Sequence, residues 1–418
     1  MQTCDIAIVG GGIFGCSIAK HLAEKSNAEI CLIEKEYHLA QHQSGRNSGT
    51  LHLGVVTEAD VEPGSQLAEF TIEGTRQLKS YCQEHDLPLH DKGIMKVGIS
   101  TEEQQKVREM YESALQAGVE VELLESQEEI HEIEPYITGN NALYSPESAT
   151  VDTGPITNKL AQEAYENGVE FYMGCRVENI SRSGERVLVR TNKQDVQARY
   201  IINAAGVKAL EFAQMMGVGH EFQAIPFRGV YFELVPERRS WVKSNVYPTN
   251  VGPSFQVGVH FTRRPDNRVI VGPTGMIALG SETYGKTEFN VREILKTASS
   301  KNFWNFIGSK ETLTLAWDEL NKTYRKKPFL QRCQKLIPEV SSSDIEESYV
   351  GISHWLFDRE GNRIGDPVIE IGEFATHLIM PQPGFTASLT TGDYISDGVL
   401  DKVDGIATSD VVDVRATD

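Results

Sequence analysis

Nowhere does this 418-residue chain run apolar for the roughly eighteen residues that a bilayer-crossing helix needs, and no positively charged leader or lipidation signal stands at its start. A membrane-spanning segment is therefore not expected, while peripheral attachment to a membrane stays open. Positive charge is scarce, with 40 Lys and Arg against 59 Asp and Glu and a net charge of −19. Such an acidic balance, without a basic tail, opposes nonspecific attraction to nucleic acid. Cysteine is sparse as well. Cys4, Cys16, Cys31, Cys82, Cys175 and Cys333 are scattered without metal-ligand spacing, so they are expected to be reduced structural thiols and no metal site is predicted. Solenoid repeats and low-complexity tracts are missing too, and 46.5 kDa is enough for a large core divided into two lobes.

What is present is concentrated at the N-terminus, where Cys4-Asp5-Ile6-Ala7-Ile8-Val9 runs straight into Gly10-Gly11-Gly12-Ile13-Phe14-Gly15. The alternating, β-branched run predicts a strand, and Gly10, Gly12 and Gly15 make a G-x-G-x-x-G turn. Without Cβ atoms the backbone can turn tightly, approach a pyrophosphate and let the next helix pack close to the sheet. That helix, about Ile13 to Lys25, aims its free N–H groups at the phosphates. Ala28 to Ile33 predicts a second strand that delivers Glu34 to its carboxyl end, where a carboxylate accepts from both ribose hydroxyls and disfavours a 2′-phosphate. The motif begins almost at residue 1, so no targeting peptide is expected ahead of it.

The loop His42-Gln43-Ser44-Gly45-Arg46-Asn47-Ser48-Gly49 offers backbone and side-chain donors to an anion, with an ordinary flexible loop as the alternative. Further on, Arg199 to Gly206 predicts a strong strand ending in Ala204, Ala205 and Gly206. Their small size lets the chain pass a bound dinucleotide a second time, which fits a long, stably held FAD better than a nicotinamide.

Periodicity predicts helices from Glu69 to His85, after the Ser100-Thr101-Glu102-Glu103 cap to about Gln116, within the acidic stretch Glu125 to Glu134, and from Pro155 to about Glu166. Strands are expected over Gly93 to Gly98, Asn141 to Ser145, Val169 to Met173 and Val187 to Arg190. Beyond residue 206 the pattern turns to strands at Gly229 to Leu234, Phe255 to Arg263 and Arg268 to Val271, then to helices from about Val291 to Lys310 and from Pro328 to Leu336. The fold class read from this order is α/β: a Rossmann-like dinucleotide lobe formed by 1–90, 145–210 and 345–400, a mixed or antiparallel-sheet substrate lobe formed by 91–144 and 211–344, and a tail at 401–418.

Gly10 to Gly15, His42 to Gly49, Pro226-Phe227-Arg228-Gly229-Val230-Tyr231 and Val271-Gly272-Pro273 follow one another as in a known family. The chain resembles the glutathione-reductase-type FAD oxidoreductases of the D-amino-acid-oxidase-like class, and most closely the L-2-hydroxyglutarate dehydrogenase/oxidase family, over about residues 1 to 395. The resemblance implies noncovalent FAD held by Gly10, Gly12, Ile13, Phe14, Gly15, Glu34, Lys35, Gln43, Ser44, Arg46, Asn47, Ser48, Gly49, Val177, Ala205, Gly206, Gly384, Phe385 and Thr386, with Thr386 capping a helix whose N-terminus faces the flavin. It also implies a cytoplasmic enzyme, at most peripheral to the inner membrane, whose electrons pass to oxygen, a quinone or an electron-transfer protein. Monomer and homo-oligomer are both open. The chain departs from the family at His52-Leu53-Gly54, at Ser353 where an arginine is expected, and across Ile379 to Thr386.

Oxidation of a 2-hydroxy acid requires a carboxylate clamp, an oriented Cα–H and an acceptor for the hydroxyl proton. Arg228 and Arg263 are the clamp candidates because a guanidinium fork matches a carboxylate, with surface arginines as the alternative. His52 is the first choice for the base, with His260 and His354 behind it, and Tyr231 is a candidate for orienting substrate. His260 and Arg263 stand three apart, so a regular strand points them to opposite faces. Trp355 reads either as a cover over the site or as a packed aromatic. The leading expectation is oxidation of L-2-hydroxyglutarate to 2-oxoglutarate. The alternatives are an amino-acid or secondary-amine oxidase and a catalytically silent FAD-binding module.

Overall fold

The computed structural model describes residues 1–56, 61–251, 258–285, 287–308, 314, 319, 323 and 325–403. They fall into two compact units, one of Met1–Gly45, Thr153–Glu221 and Pro367–Asp418, the other of Arg46–Asp152 and Phe222–Asp366. Phe255, Lys310 and the expected tail beyond 403 lie outside the described residues.

In the first unit the described residues form an eight-stranded sheet in the order Val368–Ile371, Ala375–Met380, Val196–Asn203, Gln2–Val9, Ile30–Ile33, Glu170–Tyr172, with Val177–Ser183 and Arg186–Thr191 added beside Val196–Asn203. The central pairings are parallel. Parallel strands are buried on both faces, which explains the continuous apolar run Ile6-Ala7-Ile8, fully removed from solvent. The helix Ile13–Lys25 packs with helices Thr153–Glu166 and Ser388–Leu400. Another apolar layer joins Cys4, Ala7, Val9, Cys31, Ile33 and Val177. The Cys4 and Cys31 thiols meet at 3.3 Å within it, unbridged like all six cysteines.

In the second unit a nine-stranded sheet runs in the order Met276–Ile277, Gln223–Leu234, Val269–Gly272, His260–Arg263, Asn245–Pro248, Ile94–Gly98, Asn141–Ser145, Glu122–Leu124, with Ile345–Phe357 paired to Gln223–Leu234. Its two larger apolar layers among the described residues flank this sheet, and a smaller one joins Ile225, Phe306 and Phe357. Of the larger two, one gathers Phe232, Val246, Phe261, Val271 and Phe329, the other Ile72, Ile94, Val107 and Leu143. Each fully buried side chain of this size contributes about 1.5–3 kcal/mol.

The unit boundary falls at Gly45 rather than residue 90, because helix Gln66–Glu84 buries Ala68 and Ile72 against Ile94 and Val107. Residues 345–366, expected in the FAD lobe, belong to the second unit for a similar reason: strand Ile345–Phe357 is laddered along Gln223–Leu234 from Leu234↔Ile345 to Gln223↔Phe357. The expected helix from Val291 is two helices, Val291–Ala298 and Lys301–Ile307. Among the described residues no helix is long and apolar enough to cross a membrane.

Candidate active site

The first unit builds a cradle where strand Gln2–Val9 meets helix Ile13–Lys25. Gly10 takes a φ of +114°, and a Cβ there would run into the Ala204 carbonyl oxygen. A Cβ on Gly15 would strike the Gly10 carbonyl, and one on Gly12 would stand 2.9 Å from Ser44 Oγ. Only glycine leaves this surface open to a phosphate. Ser44 Oγ accepts from the Ile13 N–H at 3.0 Å, so the loop satisfies one donor at the helix start and leaves others for an anion.

Glu34, buried at the end of its strand, accepts from the Gly11 N–H at 2.6 Å and the Glu36 N–H at 2.8 Å. Two backbone donors anchor the carboxylate beside the glycine turn, and its remaining lone pairs suit ribose hydroxyls. Ala205 and Gly206 close the far side, where a Cβ on Gly206 would stand 2.9 Å from Gln43 Oε1. These features fit the adenosine and pyrophosphate of FAD.

Four expected cofactor residues sit differently from the prediction. Lys35 is engaged with Glu36 at 3.2 Å and His42 Nε2 at 2.7 Å, and this cluster holds the Glu36 carboxyl below its usual range. The Val177 side chain is spent in the core, leaving only its main chain for a ligand. Thr386 is buried in the turn Phe385–Ala387 and does not cap the following helix, whose N-cap is Ala387 without a side-chain bond. Gly384, at φ +85°, turns the chain into that segment. Arg46 belongs to the second unit, with its guanidinium 4.3 Å from the Tyr284 ring centroid.

In the second unit the rest of the loop is braced. Asn47 Oδ1 accepts from Gly49 N–H at 2.9 Å, Tyr349 OH donates to Asn47 O at 2.7 Å, and Arg264 Nη1 donates to the Asn47 and Ser48 carbonyls at 3.3 Å each. Gly49 takes a φ of +79° and closes on Val151, whose N–H donates to the Gly49 carbonyl at 2.8 Å. A Cβ on Gly351 would collide with the Arg46 carbonyl.

The polar centre of this unit is a row across neighbouring strands. Tyr247 pairs directly with Lys96 in the parallel ladder, and its ring stacks on His260 at 4.0 Å and 9°. Lys96 Nζ lies 5.5 Å from the Tyr247 ring centroid, and His52 meets the same ring edge-on at 6.3 Å. His260 pairs with Gly272, which lies against Tyr231, so a position without a side chain separates the imidazole from the phenol. Lys96 and His260 are buried. Burial, then the neighbouring His52 and Lys96, hold His260 well below the ordinary imidazole range, so it is neutral near pH 7. Burial likewise keeps the Tyr247 and Tyr231 phenols protonated. Tyr247 OH donates to Thr50 Oγ1 at 3.1 Å, and Thr75 Oγ1 donates to the His52 carbonyl at 2.8 Å.

Of the sequence candidates, His52, His260 and Tyr231 belong to or border this row. Arg228 is buried, its Nη2 donates to Tyr284 O at 2.8 Å, and its Nε has no hydrogen-bond partner among the described residues. Arg263 is removed from the clamp. Its Nη1 donates to the Arg239 and Val242 carbonyls at 2.7 and 3.1 Å and its Nη2 to Asn267 at 3.0 Å, because an unbroken register points it away from the His260 face. His354 sits three strands from His260, roughly 14 Å across the sheet at ordinary strand spacing, and is further displaced along it, since it pairs with Pro226 whereas His260 lies level with Tyr231. Trp355 is a packed aromatic, stacked on Phe227 at 4.4 Å beneath Arg363. Lys96 and Tyr247 were missed by the sequence reading. A lysine two residues from Ile94, on the same face of an apolar strand, was the available signal for the first, and the second had none.

Residues 5–397 match the family model DAO, FAD dependent oxidoreductase. The L-2-hydroxyglutarate dehydrogenase of Indibacter alkaliphilus is 30% identical over 95% of this chain and 98% of its own length. That of Escherichia coli is 31% identical over 94% and 92%. Among solved structures, the dithionite-reduced L-α-glycerophosphate oxidase of Mycoplasma pneumoniae with FAD bound superposes with a TM-score of 0.75 at 21% identity, over 98% of this chain and 97% of that one. With a glycine cradle and Glu34 suited to FAD and a match along nearly the whole chain, this protein belongs to the DAO family of FAD-dependent oxidoreductases, in its L-2-hydroxyglutarate dehydrogenase group.

Proposed function

We propose that the chain oxidises L-2-hydroxyglutarate to 2-oxoglutarate with FAD as cofactor. The observation that carries this reading is the buried row of Lys96, Tyr247 and His260 with His52 against it: a cation for a carboxylate and, in His52, an imidazole for the hydroxyl proton. FAD, when bound, supplies the two-electron acceptor for the hydride leaving the hydroxyl-bearing carbon. His52, in its neutral form, accepts the hydroxyl proton. Lys96 and Arg228 supply positive charge for the two carboxylates, Arg228 through its unpartnered Nε. Tyr231 serves as a neutral donor that orients the substrate, since burial opposes loss of its proton. Arg263 has no part in the reaction.

The test is an anaerobic flavin-reduction screen over 2-hydroxy acids and amino acids with the FAD-loaded enzyme. Rapid bleaching by L-2-hydroxyglutarate and none by amino acids is expected. Bleaching by amino acids alone would replace this reading with an amine oxidation, and tight flavin retention without bleaching would make the protein a binding module. Admitting air then separates oxygen from a quinone or an electron-transfer protein as acceptor, by whether the flavin recolours.

A further inference from the structure

The stretch Asn47-Ser48-Gly49-Thr50-Leu51-His52 runs from the loop read as FAD-binding to the histidine read as the base, and side chains of the second unit hold it at several points. Tyr247 OH donates to Thr50 Oγ1 at 3.1 Å and Thr75 Oγ1 to the His52 carbonyl at 2.8 Å. At the front of the stretch the anchor is a cation. Arg264 Nη1 donates to the Asn47 and Ser48 carbonyls at 3.3 Å each, and Tyr349 OH donates to the Asn47 carbonyl at 2.7 Å, so that one oxygen takes two donors.

Arg264 stands one position beyond the strand His260–Arg263, and alternation carries it to the His260 side, opposite its neighbour Arg263. It is only 9% exposed. Its Nη2 faces Asp152 Oδ1 at 3.7 Å, so both ends of the guanidinium fork are turned to the protein itself. The brace reaches the polar row through Tyr349, whose ring stacks on Tyr231 at 4.7 Å and 21°. Because a trans peptide is planar, drawing the Asn47 carbonyl onto Arg264 and Tyr349 sends the Ser48 N–H the opposite way. That N–H has no partner among the described residues. Gly49 N–H, by contrast, is already capped by Asn47 Oδ1 at 2.9 Å.

We propose that Arg264 is a positioning residue for the reaction: with Tyr349 it sets the Asn47–Ser48 peptide so that Ser48 N–H is presented to FAD and the chain leading to His52 is fixed behind it. The inference rests on reading Asn47 to Gly49 as cofactor-binding and His52 as the base. The rival role is a substrate clamp, since Arg264 Nε has no partner among the described residues.

The test compares Arg264→Gln, Arg264→Lys and Tyr349→Phe with the wild-type full-length chain. Flavin-depleted protein is titrated with FAD, and the reloaded enzyme is then reduced anaerobically with L-2-hydroxyglutarate. Arg264→Gln should bind FAD roughly tenfold more weakly, Arg264→Lys should recover part of the loss, and Tyr349→Phe should bind about threefold more weakly. At saturating FAD, Arg264→Gln should reduce its flavin more slowly with KM for the hydroxy acid unchanged, since the guanidinium does not touch substrate. Should Arg264→Gln not fold, Arg264→Lys and Tyr349→Phe carry the same comparison. Unchanged FAD affinity in the folded variants overturns the proposal, whether the unfolding midpoint falls, which leaves packing alone, or KM rises, which makes Arg264 a clamp. The FAD titration uses no substrate, so a failure of the substrate assignment would show as absent bleaching in the wild type and leave this arm readable.

Discussion

His52 and His260 flank one tyrosine ring, yet burial assigns them different tasks. His260 sits in an apolar, cation-facing position that suppresses its protonation, so it serves as a neutral wall to which Thr262 Oγ1 is hydrogen-bonded at Nδ1, 3.1 Å away. On the proposed reading His52 is then the group that takes the hydroxyl proton. His52→Gln is expected to retain FAD and reduce it roughly 100-fold more slowly, with loss of the acidic limb of the pH profile, since imidazolium cannot accept the proton. Stopped-flow reduction at a near-wild-type rate with an unchanged profile would transfer the base to another group. Glu34→Ala should weaken FAD binding by roughly tenfold or more, because it removes the acceptor for the ribose and for two backbone donors. Equilibrium flavin titration reads this directly, and an unchanged affinity in a folded variant would refute the role. At this scale Glu34 was legible because a strand, a turn and an acid fall in register along the chain. Lys96 and Tyr247 were not, since they become partners only when strands from distant parts of the sequence pair.

Helices follow their local chemistry closely. Ser100 and Glu103 form the reciprocal box that starts helix Thr101–Gln116, with Ser100 Oγ accepting from Glu103 N–H at 3.2 Å and Glu103 Oε2 accepting from Ser100 N–H at 2.8 Å. Ser100→Ala should cost about 1 kcal/mol, because one helix-end donor loses its acceptor. A shift in the urea midpoint would show it, and an unchanged midpoint would mean that water replaces the cap. The strand Ile345–Phe357 behaves in the opposite way. Its Glu346, Glu347, Ser348, Gly351 and Ser353 give no apolar alternation, and it is a strand because Gln223–Leu234 supplies a ladder beside it. Pairing overrides propensity there, and it carries 345–366 into the second unit.

Across the whole molecule, buried histidines set the acid side of the stability curve. Desolvation pushes His377 down to about 4 and His260 well below 6.5. Below about pH 6.5 the unfolded chain takes up protons at both positions that the folded chain refuses, so this stability is complete above that pH and is lost as pH falls toward the folded values. For His377 the full loss approaches about 3 kcal/mol at the bottom of its window. Glu134, whose carboxyl burial raises, acts in the other direction. Thermal unfolding should therefore show a midpoint that falls from pH 6.5 to 5, with a shallower fall in His377→Asn; a flat midpoint would show that the sites protonate without unfolding. What the sequence by itself determined is the cofactor cradle and the class of fold, because a strand, three glycines, a helix and an acid are local and their chemistry is encoded by spacing along the chain. Only the tertiary structure decided which cation stands beside the histidines, why Arg263 turns away from them, and which unit holds residues 46–90. Those outcomes depend on strand register and on burial, and both are set by partners far apart in the sequence.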